Sequence, residues 1–69
     1  MVRRLKKEIW PYKITVNYPA DSQIIDIELW LVEKFGERRN KWNVVYGFYK
    51  SDFYFKEESM LTFFAMRWN

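Results

Sequence analysis

WNVVYGFYKSDFYF, residues 42–55, has the two-residue period of a pleated strand. Trp42, Val44, Tyr46 and Phe48 alternate with Asn43, Val45, Gly47 and Tyr49, which gives one apolar face. Lys50, Ser51 and Asp52 supply a polar turn, and Phe53-Tyr54-Phe55 resumes the aromatic pattern. The reading is a β-hairpin whose large rings need a cover. Two amphipathic segments flank it and can supply one.

Upstream, Ile9 to Tyr18 reads as a first strand. Tyr12, Ile14, Val16 and Tyr18 share one face, while Lys13, Thr15 and Asn17 share the other. Pro11 cannot donate to a ladder and marks the strand start or an edge; Pro19 stops it. Asp21 or Ser22 is the expected N-cap of a helix running to about Phe35, where Gly36 stands at the left-handed terminating position. On that helix Ile24, Ile25, Ile27, Leu29, Leu31, Val32 and Phe35 spread over a wide apolar arc.

Two positions break the arc. Glu28 falls in its middle, and a carboxylate there needs a partner or a raised pKa. It is either a tuned acid or partner contact, or a glutamate that leans out at the helix edge or bonds a tyrosine hydroxyl from the sheet. Trp30 falls on the opposite side, beside Asp26, Glu33 and Lys34. Either its indole lies along its own helix and Lys34, or it is a protein contact, a role in which exposed tryptophan is enriched.

After the hairpin, Glu57, Glu58 and Ser59 open a second amphipathic run, with acids where a helix N-terminus favours them. Met60, Leu61, Phe63 and Phe64 then recur at helical spacing. The tail from Phe64 to Trp68 also alternates, so periodicity fits both a continuing helix and a short last strand near Ala65. Strand, helix, strand, strand, helix and an optional strand is the ferredoxin-like βαββα(β) order. Such an α+β fold has a small antiparallel sheet with two helices on one face. The other face is expected to be open, carrying Asn17, Asn43, Val45, Gly47, Tyr49 and Tyr54.

At 69 residues the chain has room for a single domain, 1–69, with residues 1–8 as a basic, loosely held arm. Small domains often rely on disulfides or a metal, and this one has neither Cys nor His. It carries fifteen aromatic rings, more than one small core is expected to hold. The charge is uneven: residues 1–13 hold five bases against one acid, net +4, and the remainder is net −1. No apolar run approaches a membrane span, and the N-terminus lacks a signal-peptide core, so a cytoplasmic protein is expected.

Chemistry is scarce. Histidine-dependent triads, cysteine nucleophiles and His or Cys metal sites are excluded by composition, and the two glycines form no phosphate loop. The acids fall mostly on solvated faces, and nothing pairs them. The expectation is a non-enzymatic protein with no cofactor and no metal. Tyr46-Gly47-Phe48-Tyr49 meets the RNA-recognition RNP1 pattern only faintly, and on the second strand rather than the third.

The opening RRLKKEIWPY (Arg3 to Tyr12) and the closing DFYFKEESMLTFFAMRW (Asp52 to Trp68) resemble small uncharacterised proteins of T4-like marine cyanophages. These often end in an F-x-F, a short acidic helix and F-x-x-R-W. The resemblance implies a phage origin and expression inside an infected bacterium, with no activity attached. The favoured function is an accessory protein acting by protein contact, with itself or a host protein, through Trp30, Tyr49 and Tyr54. The alternative is a nucleic-acid binder. It would use Arg3, Arg4, Lys6 and Lys7 of the arm, Arg38, Arg39 and Lys41 of the Glu37–Lys41 loop, and Tyr49 or Tyr54 as stacking surfaces.

Overall fold

Phe53 and Phe55 organise the molecule. Both are wholly buried, and each lies between partners on either side of it in the sheet. The computed structural model describes residues 8–19 and 22–68. The elements are β1 (Tyr12–Asn17), α1 (Gln23–Phe35), β2 (Trp42–Tyr46), β3 (Lys50–Phe55) and α2 (Glu58–Trp68). The sheet has three strands in the order β1-β3-β2, and β3 runs antiparallel to both neighbours. This is an α+β molecule with two helices.

The register follows from the large side chains. Phe55 pairs with Tyr12 and Trp42, and Phe53 with Ile14 and Val44. This brings the apolar positions of all three strands to one face. There they meet Ile27 and Leu31 of α1 and Met60 and Phe64 of α2 in a single cluster. Phe64 is the hinge of the packing, with its ring centroid 4.9 Å from that of Phe53 and 5.3 Å from that of Phe55. Burying such rings is the main favourable contribution available to a chain this short.

That register moves the hairpin turn away from the expected Lys50-Ser51-Asp52. Those residues are strand. The turn is at Gly47–Tyr49, closed by the Gly47 N–H donating to the Lys50 carbonyl at 2.8 Å. Ser51 and Asp52 are tolerated in the strand because each has a partner, and Lys50 is exposed. Ser51, only 1% exposed, shares a 2.9 Å hydrogen bond with the Tyr18 hydroxyl, and Asp52 accepts from Thr15 Oγ1. A turn centred on Ser51 would instead have placed Gly47 opposite Phe55 and dissolved the paired aromatic core. Phe48, expected on the strand face, therefore stands in the turn at 84% exposure. Tyr49 takes a φ of 55° there, and its carbonyl accepts from the Tyr18 N–H.

α1 follows Ser22, which makes no side-chain cap, and ends at Gly36, whose N–H donates to the Val32 carbonyl at 2.9 Å. Asp21 lies outside the described residues. Gly36 has φ 93° and ψ −167°, an extended positive-φ conformation rather than the left-handed helical one, and essentially only glycine adopts it. The Gly36 carbonyl also accepts from the Trp42 indole at 2.8 Å, which ties the helix end to the start of β2. Gly36→Ala should therefore cost about 1–3 kcal/mol in backbone strain alone, since the new Cβ would meet no atom within 4 Å. Urea unfolding should show a lower midpoint with an unchanged slope; an unchanged midpoint would contradict the assignment.

Residues 65–68 are helical. Phe64 and Trp68, one helical turn apart, both reach the Trp30 ring, at 6.0 and 6.3 Å. A strand would set these two residues about 13 Å apart along its axis instead of the roughly 6 Å of a helical turn, too far for both to meet one indole.

Candidate contact surface

α1 has two apolar sides, and only one of them enters the core. Ile27 and Leu31 are buried, and Ile24, Trp30 and Phe35 pack partly against the cluster. Ile25, Leu29 and Val32 remain 59%, 64% and 45% exposed. Relative to the arc read from periodicity, the helix is rolled toward Trp30. The ring explains the roll: Trp30 contacts Phe35 edge-on at 5.8 Å and lies against Phe63 at 5.5 Å, Phe64 and Trp68. Covering an indole among four rings outweighs covering one or two aliphatic chains, because aromatic pairing adds to the area removed from water.

The stripe left outside, Ile25-Leu29-Val32, has i, i+4, i+7 spacing, that of a helix face prepared for a partner. A shallow groove of about 710 Å³ runs from it toward the end of α2. Leu29, Val32, Trp30 and Trp68 supply its apolar lining, and Asp26, Glu33 and Arg67 its charges. The Arg67 guanidinium lies 4.3 Å from the centre of the Trp68 ring, while the indole Nε1 of Trp68 is buried without a hydrogen-bond acceptor.

Glu28 sits at the margin between the two sides of α1. Its Oε1 accepts from the Tyr46 hydroxyl at 2.5 Å, and that hydroxyl accepts from Arg38 Nη1 at 3.2 Å. A cation, a phenol and a carboxylate thus form one chain linking the loop, the end of β2 and α1. Burial first, then the hydrogen bond and charge of Glu28, raise the Tyr46 pKa above its ordinary value of about 10; Arg38 opposes them. A folded-state pKa above the unfolded one means the contribution is complete below pH about 10 and is lost as pH rises through the folded value. Phenolate absorbance, compared between the wild type and Tyr46→Phe, should isolate a group ionising above pH about 10. The stability loss above that pH should be smaller in the variant. A difference curve centred at or below that pH would contradict the network.

The remaining expected contact residues are dispersed. Tyr54 lies on the sheet face opposite the helices but is only 5% exposed, so it is not presented there; Trp10 is also buried outside the main cluster. Tyr49 is at the hairpin tip, its ring 5.8 Å from that of Phe48, far from the strand-face position periodicity assigned to it. Arg39 and Lys41 are exposed, and Arg39 adopts φ 76°. Arg38, bonded to Tyr46, is engaged. Arg3, Arg4, Lys6 and Lys7 lie outside the described residues. Sequence reasoning missed Ile25, Leu29 and Val32 as surface residues. The usable signal was the breadth of the apolar arc, wider than one helix buries when a tryptophan competes for cover.

Among the described residues no group of three or more acidic, His or Cys side chains is placed to hold a metal, and no helix is long and apolar enough to cross a membrane. The surface and fold define a small α+β protein with an uncovered apolar helix stripe. Compared with known family models, curated proteins and solved structures, the chain matches none.

Proposed function

We propose that this chain is a non-enzymatic contact protein that self-associates and meets partners through apolar surface. The observation that carries the reading is the exposed Ile25-Leu29-Val32 stripe, continuous with the Trp30–Trp68 groove. Solvent-exposed apolar area at helical spacing is costly to leave uncovered and is typical of interaction surfaces. Four rings, of Tyr46, Phe48, Tyr49 and Phe63, are also exposed, in keeping with a chain that has more aromatic surface than it buries alone. The resemblance of the two chain ends to small proteins of T4-like cyanophages supports a phage accessory role in the cytoplasm of an infected bacterium. The β1-α1-β2 unit with β3 inserted between its strands supports a ferredoxin-like reading without the last strand.

Sedimentation equilibrium at micromolar concentration tests the proposal. A mass above that of one chain, rising with concentration, is expected. A strict monomer at every concentration removes self-association from the reading.

A further inference from the structure

The two edges of the sheet are finished differently. Backbone pairing alternates along antiparallel strands, so every second residue of an edge strand directs its N–H and C=O outward. In β2 the Gly47–Lys50 bond sets the phase, and the outward residues are Trp42, Val44 and Tyr46. That edge is partly occupied: the Trp42 carbonyl accepts from the Arg39 N–H at 2.7 Å, and the Val44 N–H donates to Asn43 Oδ1 at 2.8 Å. In β1 the Tyr18–Tyr49 bond sets the phase, and Lys13, Thr15 and Asn17 point outward. Among the described residues nothing pairs with them, and all three are exposed. An unpaired edge of this kind is a template for another strand.

Building on the self-association proposed above, and leaving the α1 stripe for contact with other partners, we propose that β1 is the seam between copies: it pairs antiparallel with β1 of a second copy about a two-fold axis at Thr15. This register pairs Thr15 with Thr15 of the copy and Lys13 with Asn17, and satisfies every outward N–H and C=O of these residues. No like charges are opposed on the open face. On the helix face, Ile14 meets Val16, and Tyr12 meets Tyr18. Tyr12 and Ile14 are only partly buried in the single chain and gain cover. Pro11 falls opposite Pro19. Neither carries an N–H, so the ladder stops at both ends, and because the two-fold pairing uses the same edge of both copies it closes as a dimer.

Amide hydrogen exchange on the full chain, over a range of concentrations, reads the seam directly. In the monomer the Lys13, Thr15 and Asn17 amides should exchange quickly, while those of Ile14 and Val16 should be protected. With concentration the first three should slow in step with the measured mass, about tenfold when about nine-tenths of the chains are paired. With Thr15→Val as the control for the lost side-chain bond to Asp52, Thr15→Pro removes an N–H that makes no bond inside the monomer. It should keep the far-UV spectrum and weaken association about 30-fold, through two lost hydrogen bonds. Should that variant not fold, the exchange pattern of the wild type still decides. A dimer whose Lys13, Thr15 and Asn17 amides stay fast, or one that Thr15→Pro leaves intact, overturns the seam while self-association stands. Protection independent of concentration also overturns it. A strict monomer overturns both.

Discussion

Phe64→Ala should remove a large fraction of the chain's stability at room temperature. Phe64 is fully buried, packs on Phe53 and Phe55 from above the sheet and touches Trp30 of α1. Removing a ring from such a position costs about 3–5 kcal/mol, since the lost transfer free energy is joined by that of the cavity. A chain of this length has a total stability of roughly 3–10 kcal/mol at the usual margin per residue. The sequence has no cysteine for a disulfide, and among the described residues no group of acidic, His or Cys side chains is placed to hold a metal. The loss should appear as a collapse of the near-UV aromatic signal and of the urea midpoint. A variant retaining the wild-type midpoint would mean that the two helices are not joined to the sheet through this residue.

Trp30→Ala should be the second-largest loss, about 2–4 kcal/mol, somewhat under the range for a fully buried ring because the side chain is half-buried. The indole joins α1 to α2 through Phe63, Phe64 and Trp68. Its removal should loosen α2 as well as α1, visible as lost helical signal on mild heating. A binding defect in this variant would therefore report unfolding as readily as a lost contact. Leu29→Gln is the cleaner probe of the outer surface. It lies on the exposed stripe one residue away and should change stability by no more than about 0.5 kcal/mol. If Trp30→Ala proved as mild as Leu29→Gln, the inter-helix packing described for it would be wrong.

Much of the architecture was legible in local patterns. The termination of β1 by Pro19 and of α1 by Gly36 follows from backbone constraints internal to those residues. The two-residue alternation of Tyr12, Ile14 and Val16, and of Trp42 and Val44, assigns the core face because strand geometry leaves no other arrangement. Glu28 announced that it needed a partner, and a sheet tyrosine hydroxyl was among the partners periodicity allowed. The hairpin turn was not legible. Lys50-Ser51-Asp52 is the more polar run, yet Ser51 and Asp52 are satisfied by Tyr18 and Thr15, residues more than thirty positions away.

The contact surface divides along the same line. The sequence alone determined that this chain has more ring and aliphatic surface than its length readily hides, and no histidine or cysteine chemistry, since those depend on composition. Only the tertiary structure decided which apolar residues stay outside. The helix arc could have faced Ile25 and Leu29 inward; the rings of α2 drew Trp30 in instead, because packing energy is settled between elements and not within one. That the outward edge of β1 has no partner among the described residues is likewise invisible in one dimension, since whether a strand's outward amides find partners depends on where every other strand has gone.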